Sequence, residues 1–235
     1  MPWSRAPSTD SWTDSGQVRW RHPSTLTASA RSCRRRCQPA AARSTCAPRT
    51  GQAALSAIES NYAGFGSGLV DPATGIGYQN RGAFFRLEPG HANSLAPSKR
   101  TLHTLTPGML LRDGRPWVVH GSMGGEIQPQ VFAQVVSAIV DGGVDVATAV
   151  GAPRWAADVP RHLGLPSLTA LETRYRPEVV DGFRARGHVP RIVDAWSSAM
   201  GHAHAIEIIH DSEPEDHRTF AAATDLRSEG LPGAW

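Results

Sequence analysis

Cysteine is scarce in this chain of 235 residues, and its three copies, Cys33, Cys37 and Cys46, all lie within the first fifty. A structural zinc site needs four ligands, which this set and His22 do not supply. No apolar run is long enough to form a membrane-spanning helix. None of about 7–15 residues follows the N-terminal charges as a secretory signal requires, so the cytoplasm is the expected compartment and no membrane partner is expected. Glycine is also missing at the start, where Gly16 alone of 23 precedes residue 51.

Charge divides the chain at the same place. Residues 1–50 carry nine arginines against Asp10 and Asp14, a balance of +7; the remaining 15 basic and 19 acidic residues give −4, so the overall +3 describes no single surface. The first fifty residues are rich in Ser, Thr, Arg and Pro and show no helical or strand period. That composition predicts a largely disordered leader. Its Arg-rich, Ser-rich character is that of an organelle transit peptide without the amphipathic spacing. The run Ser32-Cys33-Arg34-Arg35-Arg36-Cys37 has no helical face or interleaved aromatics to present to phosphates. It reads as a solvated basic tail, with no nucleic-acid partner expected.

From residue 51 to 235 the patterning is that of a folded domain. Ala53–Ile58 and Ala83–Leu87 read as strands, Gly64–Val70 as a glycine-rich turn feeding another, and Leu102–Leu111 with Trp117–His120 as a hairpin. Val131, Phe132, Val135, Val136, Ile139 and Val140 form one apolar stripe over a helix at Gln130–Val140, stopped by Gly142-Gly143. A second helix is predicted over Pro177–Arg186, followed by strands Ala203–Ile209 and Thr219–Thr224. Strands, helix, helix, strands predict a layered α+β architecture.

Val118-Val119-His120-Gly121-Ser122-Met123-Gly124-Gly125-Glu126 runs from a strand through glycines into the strongest helix. Amides at a helix start can hold a carboxylate, a phosphate or a developing oxyanion. A plain tight turn has the same sequence, and both readings stand at this point. The segment matches neither the phosphate-loop nor the dinucleotide pattern. His202 and His204 alternate on a strand without a third ligand, and Gly66-Ser67-Gly68 lacks the flanks of a hydrolase nucleophile elbow. No metal and no cofactor is expected.

Seven stretches then occur in order: Gly64-Phe65-Gly66-Ser67-Gly68, Gln79–Phe85, Leu87–Asn93, Pro97–Pro107, Gly121–Gly125, Ala152-Pro153-Arg154-Trp155 and Asp225–Gly230. With them, residues 52–235 resemble the small subunit of the gamma-glutamyltransferase family, which comprises glutathione hydrolases and related acylases. The resemblance implies an N-terminal-nucleophile hydrolase fold, an αββα sandwich of which the chain carries the small-subunit part. It implies amide hydrolysis or transfer through an acyl-enzyme, with a gamma-glutamyl or other acyl amide as small-molecule partner. In such enzymes the nucleophile is an N-terminal Thr whose own amine is the base.

Carried onto this chain, the resemblance makes Gly124 and Gly125 the oxyanion-binding pair and Ser60 the support of the nucleophile. His103 and Thr104 fall on paired hydroxyl positions that contact the substrate carboxylate, and only Thr104 keeps a hydroxyl. Asn80 keeps a family amide, and Arg81 stands where an amide or acid lies near the substrate's amino group. Phe84 replaces an Asp that grips that group. An apolar ring cannot pair with an ammonium, which favours an acylase-like preference.

The nucleophile's position falls near residues 40–45, where Thr45 is the sole Thr and its context lacks the family's cleavage pattern. Residues 1–50 are accordingly expected to be an out-of-frame or misassigned leader, or a natural fusion, and the chain to be inactive alone. A further reading is complementation by a separately encoded large subunit as partner, which restores the sandwich but supplies an amine-bearing Thr only if Thr45 is exposed. The other reading is a non-catalytic remnant acting as a binding module.

Overall fold

The computed structural model describes residues 54–157, 169–210 and 218–232, together with two short strands at 18–21 and 43–46. In chain order the strands and helices are β1 (Val18–Arg21), β2 (Arg43–Cys46), β3 (Leu55–Ile58), β4 (Gly108–Arg112), β5 (Arg115–Met123), α1 (Gln128–Val140), α2 (Val146–Gly151), β6 (Trp155–Ala156), β7 (Thr169–Glu172), α3 (Pro177–Ala185), β8 (Pro190–Val193), β9 (His202–His210) and β10 (Arg218–Thr224). The rest of the leader, and so most of the expectation of disorder there, lies outside the described residues, as does the acidic turn between the last two strands. β1 and β2 are strands in a segment where no alternation marked one; β1 pairs with β10 and β2 with β3, both antiparallel.

The main sheet has the order β1-β10-β9-β5-β4. Its β4–β5 hairpin turns on Asp113 and Gly114, both at positive φ (52° and 75°), the conformation of a two-residue type I′ turn. β5 is buried without a break from Val118 to Ser122, as a central strand covered on both faces must be. Val118 joins the core formed with α1 and α2, and His120, two residues on, meets Phe132 of α1 edge to face at 4.8 Å. Val119 points to the other face by the two-residue period and is fully buried too. The β2–β3 hairpin packs against β5, and Ser56 Oγ donates to the His120 carbonyl at 2.9 Å. The layers are therefore helices, sheet and hairpin.

α1 buries Val131, Val135 and Ile139 at four-residue spacing and ends where the Gly142 amide donates to Ser137 O and the Val144 amide to Ala138 O around Gly143 at φ 64°, a left-handed helix stop. α2 is capped by Asp145, whose Oδ1 accepts from the amides of Ala147 and Thr148. A third sheet, β6-β7-β8, contains a parallel β7–β8 pair connected through α3, a local βαβ unit inside the α+β arrangement. No helix among the described residues is long and apolar enough to cross a membrane.

Two expected strands are not strands. Residues Arg81–Phe84 form a 3-10 turn because the Gln79 side chain accepts from the Arg81 amide and the Asn80 carbonyl from the Ala83 amide; only Arg86 keeps a single bridge, to Ser94. Beyond Gly64–Gly68, Val70 makes one bridge to Gly77. The segment Leu102–Leu111 becomes a strand only at Gly108, after Pro107, which has no amide to donate to a ladder.

Candidate active site

β5 delivers the glycine turn. Gly124 sits at φ 149°, and a Cβ there would lie 2.6 Å from Ile127 Cγ1, so packing and backbone both require glycine. Gly125 is left-handed at φ 56° with open space on its side-chain face. A 3-10 turn over Gly125–Ile127 leads directly into α1, so the glycine amides stand at a helix start, where N–H groups lack intrahelical partners and the dipole favours negative charge. From below, Gly201 at φ 75° closes on the turn; a Cβ on it would meet the Met123 carbonyl at 2.5 Å. The tight turn and the anion-receptive start of a helix are one structure.

A second group of side chains is a cluster drawn from three separate segments. Arg81 is 1% exposed and donates through Nη1 to Thr104 Oγ1 at 2.7 Å. Its guanidinium carbon lies 5.2 Å from the Tyr62 ring centroid, and that ring packs on Phe84 at 4.6 Å. Tyr62 holds an uncommon positive φ of 77°, a strained backbone of the kind found at binding sites. Burial and the Glu126 carboxylate raise the Tyr62 phenol above its ordinary range, and Arg81 opposes them. Glu126 follows Gly125 in the chain.

The other expected residues divide. Thr104 is buried, whereas His103 is exposed and held below the usual imidazole range by desolvation, then by Arg81 and Arg100. Ser60 Oγ accepts from the Tyr62 amide at 2.9 Å, fixing the strained residue. Both ends of the Asn80 amide are engaged by the glycine loop: Oδ1 accepts from Ala63 N–H, and Nδ2 donates to the carbonyls of Ala63 and Gly66. Asn80 therefore shapes the site through that loop. Thr45 lies in β2, opposite Ser56 in register, one strand from the residue tied to β5. Tyr62 has no role in the sequence reading, because no spacing links it to Arg81; only the fold sets its ring beside that guanidinium.

Two of the quoted motifs, Ala152–Trp155 and Asp225–Gly230, meet in a buried ion network away from the cluster. Arg154 Nη1 donates to Asp225 Oδ2 at 2.5 Å, and Arg227 forks onto Glu172 through Nε at 2.7 Å and Nη2 at 2.6 Å. Arg174 also reaches Glu172 at 2.7 Å and stacks 3.4 Å over Trp196. Arg154 additionally donates to the Gly201 carbonyl at 3.0 Å, so the network supports the turn that underlies Gly124. Among the described residues, no group of three or more His, Cys, Asp or Glu is placed to hold a metal.

The gamma-glutamyltranspeptidase family profile matches residues 20–235. The oxamate amidohydrolase proenzyme of Klebsiella pneumoniae is 42% identical over 183 residues, covering 77% of this chain and 33% of the relative. A mutant gamma-glutamyltranspeptidase of Helicobacter pylori superposes with a TM-score of 0.66 at 26% identity, over 80% of this chain and 100% of that one. The cephalosporin acylase of Bacillus halodurans superposes at 0.64 with 36% identity, over 75% and 31%. The chain thus spans about a third of the curated relative it matches. It belongs to the gamma-glutamyltranspeptidase family and has that family's N-terminal-nucleophile hydrolase fold.

Proposed function

We propose that these residues serve an acyl-amide hydrolase or acyltransferase, in which Gly124 and Gly125 hold the tetrahedral oxyanion and the Tyr62–Arg81–Phe84–Thr104 cluster receives the acyl group. The observation that carries this reading is the glycine turn itself, whose amides stand at a helix start; the cluster, in which Tyr62 packs on both Phe84 and Arg81, supplies the candidate acyl pocket. Preorganised amides at a helix start stabilise charge that develops only as the amide carbonyl is attacked. Removing one such donor costs about 10²–10³ in turnover. The relatives include an amidohydrolase and an acylase by name, which agrees with amide cleavage.

The nucleophile of this chemistry is a hydroxyl: its own α-amine takes the proton, the oxygen attacks the amide carbonyl, the substrate's C–N bond breaks and its amine leaves with that proton, and the resulting ester is then cleaved by water or an acceptor amine. Thr45 is the candidate, once the Ser44–Thr45 bond is cut to free its amine. The 235-residue chain by itself is inactive in this account, and a large subunit covers the apolar side chains exposed between Phe65 and Leu102, among them Leu69, Ile76 and Leu87.

The test is p-nitroaniline release from gamma-glutamyl- and glutaryl-p-nitroanilide by the purified chain, alone and with the large subunit of a related proenzyme. Release only in the mixture, lost in Thr45→Ala, is the expected result. Turnover by the chain alone overturns the inactive reading, and a silent mixture overturns the catalytic one.

A further inference from the structure

Among the described residues four arginines are buried or nearly so around polar groups, and three of them, Arg154, Arg174 and Arg227, are paired with carboxylates. The fourth, Arg81, is not. Of its guanidinium donors Nη1 alone is bonded, to the Thr104 hydroxyl, and Nε is buried without a partner among the described residues. A buried guanidinium lacking an anion is costly, and one neutral hydroxyl with one aromatic face offsets only part of that cost. Its cover is thin. Tyr62 and Phe84 are half-buried and the neighbouring His103 is exposed, so the cluster around Arg81 borders the surface.

We infer that Arg81 receives a carboxylate carried by the acyl part of the substrate, with Thr104 as second donor, so that the preferred substrates are monoamides of dicarboxylic acids lacking an α-ammonium group. This rests on the reading of the cluster as the acyl pocket. A guanidinium forks onto a carboxylate with two parallel N–H donors, and Arg81 has Nε uncommitted for it. The same charge repels an ammonium, and the rings of Tyr62 and Phe84 offer such a group no carboxylate. Glu126 acts on Tyr62; the influences on Arg81 itself are burial and Tyr62.

The experiment is isothermal titration of the 235-residue chain with glutaric acid monoamide, its neutral diamide and L-glutamine, which carries the ammonium. The monoamide is expected to bind, and the diamide and L-glutamine to bind about tenfold or more weakly, the loss of one charge-assisted contact. Arg81→Gln is expected to remove the preference for the monoamide over the diamide. Phe84→Asp, which sets a carboxylate on the same turn as Arg81, is expected to weaken the monoamide about tenfold and to narrow or reverse its advantage over L-glutamine. Circular dichroism confirms that each variant is folded, and the two substitutions, one buried and one half-buried, do not share a folding risk.

Equal binding of monoamide and diamide, no saturable binding of the monoamide, or a preference untouched in a folded Arg81→Gln protein overturns the inference. Binding requires no turnover. A chain that binds the monoamide but never cleaves an amide in any mixture removes the catalytic reading and leaves this one standing; a mixture that cleaves amides without preferring the acid removes this one alone.

Discussion

Arg154 and Asp225, 71 residues apart, form a 2.5 Å ion pair with both side chains buried. Asp225 Oδ2 also accepts from the Ala203 amide at the start of β9, and Arg154 donates to the carbonyls of Met200 and Gly201. The pair therefore fastens the turn before β9, and that turn lies against Gly124.

Asp225→Ala takes from Arg154 the carboxylate its guanidinium pairs with and from Arg227 one of its two carboxylate partners, leaving buried charge less well compensated. Removing one partner of a buried pair costs about 3–5 kcal/mol, a loss that urea denaturation reads directly. An unchanged midpoint would mean that the network contributes nothing to stability.

The two site glycines should differ on substitution. Gly124→Ala drives a Cβ to 2.6 Å from Ile127 and should destabilise the fold or displace the turn. Gly125→Ala meets no atom within 4 Å and should cost only the left-handed backbone, about 1–2 kcal/mol. Thermal denaturation of the two variants separates a packing requirement from a backbone one.

His120 gives stability a pH dependence. Burial holds its imidazole below the ordinary value of 6.5, and Nδ1 has no partner among the described residues. The unfolded chain takes up a proton near pH 6.5 while the folded chain does not, so this contribution is complete above that pH and is lost as pH falls below it. His120→Gln should flatten the decline of unfolding free energy between about pH 6.5 and the lower folded value; parallel curves would contradict the assignment.

Asn80→Ala removes one acceptor and two donors from the loop at Ala63 and Gly66. Hydrogen exchange at the Ala63 amide should accelerate by about tenfold, the equivalent of one net hydrogen bond, with little change in β5 or α1. Uniform acceleration would make Asn80 a global rather than a local brace.

The elements legible in the sequence are those with a clean period or an unambiguous turn. Val131, Val135 and Ile139 marked α1, Asp113-Gly114 lay within the turn of the β4–β5 hairpin, and the alternating ends of β9 and β10 were read within two residues. α2 was not, because six residues of Val, Ala, Thr and Gly, five of them buried, show no polar face. β7, buried at all four positions, likewise shows no alternation. The run Ala83–Leu87 has the composition of a strand, but the Gln79 side chain and the Asn80 carbonyl accept from the amides of Arg81 and Ala83 and wind its start into a turn. At the site, the glycine pair was visible from its place before a helix. The isolation of Arg81 was not, since a missing partner is a property of three segments brought together.

The central claim is that the glycine turn and the Arg81 cluster form one site. Its most direct test is a nuclear magnetic resonance titration of the labelled chain with glutaryl-p-nitroanilide, following the Gly124 and Gly125 amides and the Arg81 Nε–H. A single saturation curve shared by all three signals is the predicted result. Glycine amides that stay still while Arg81 responds, or the reverse, would contradict it.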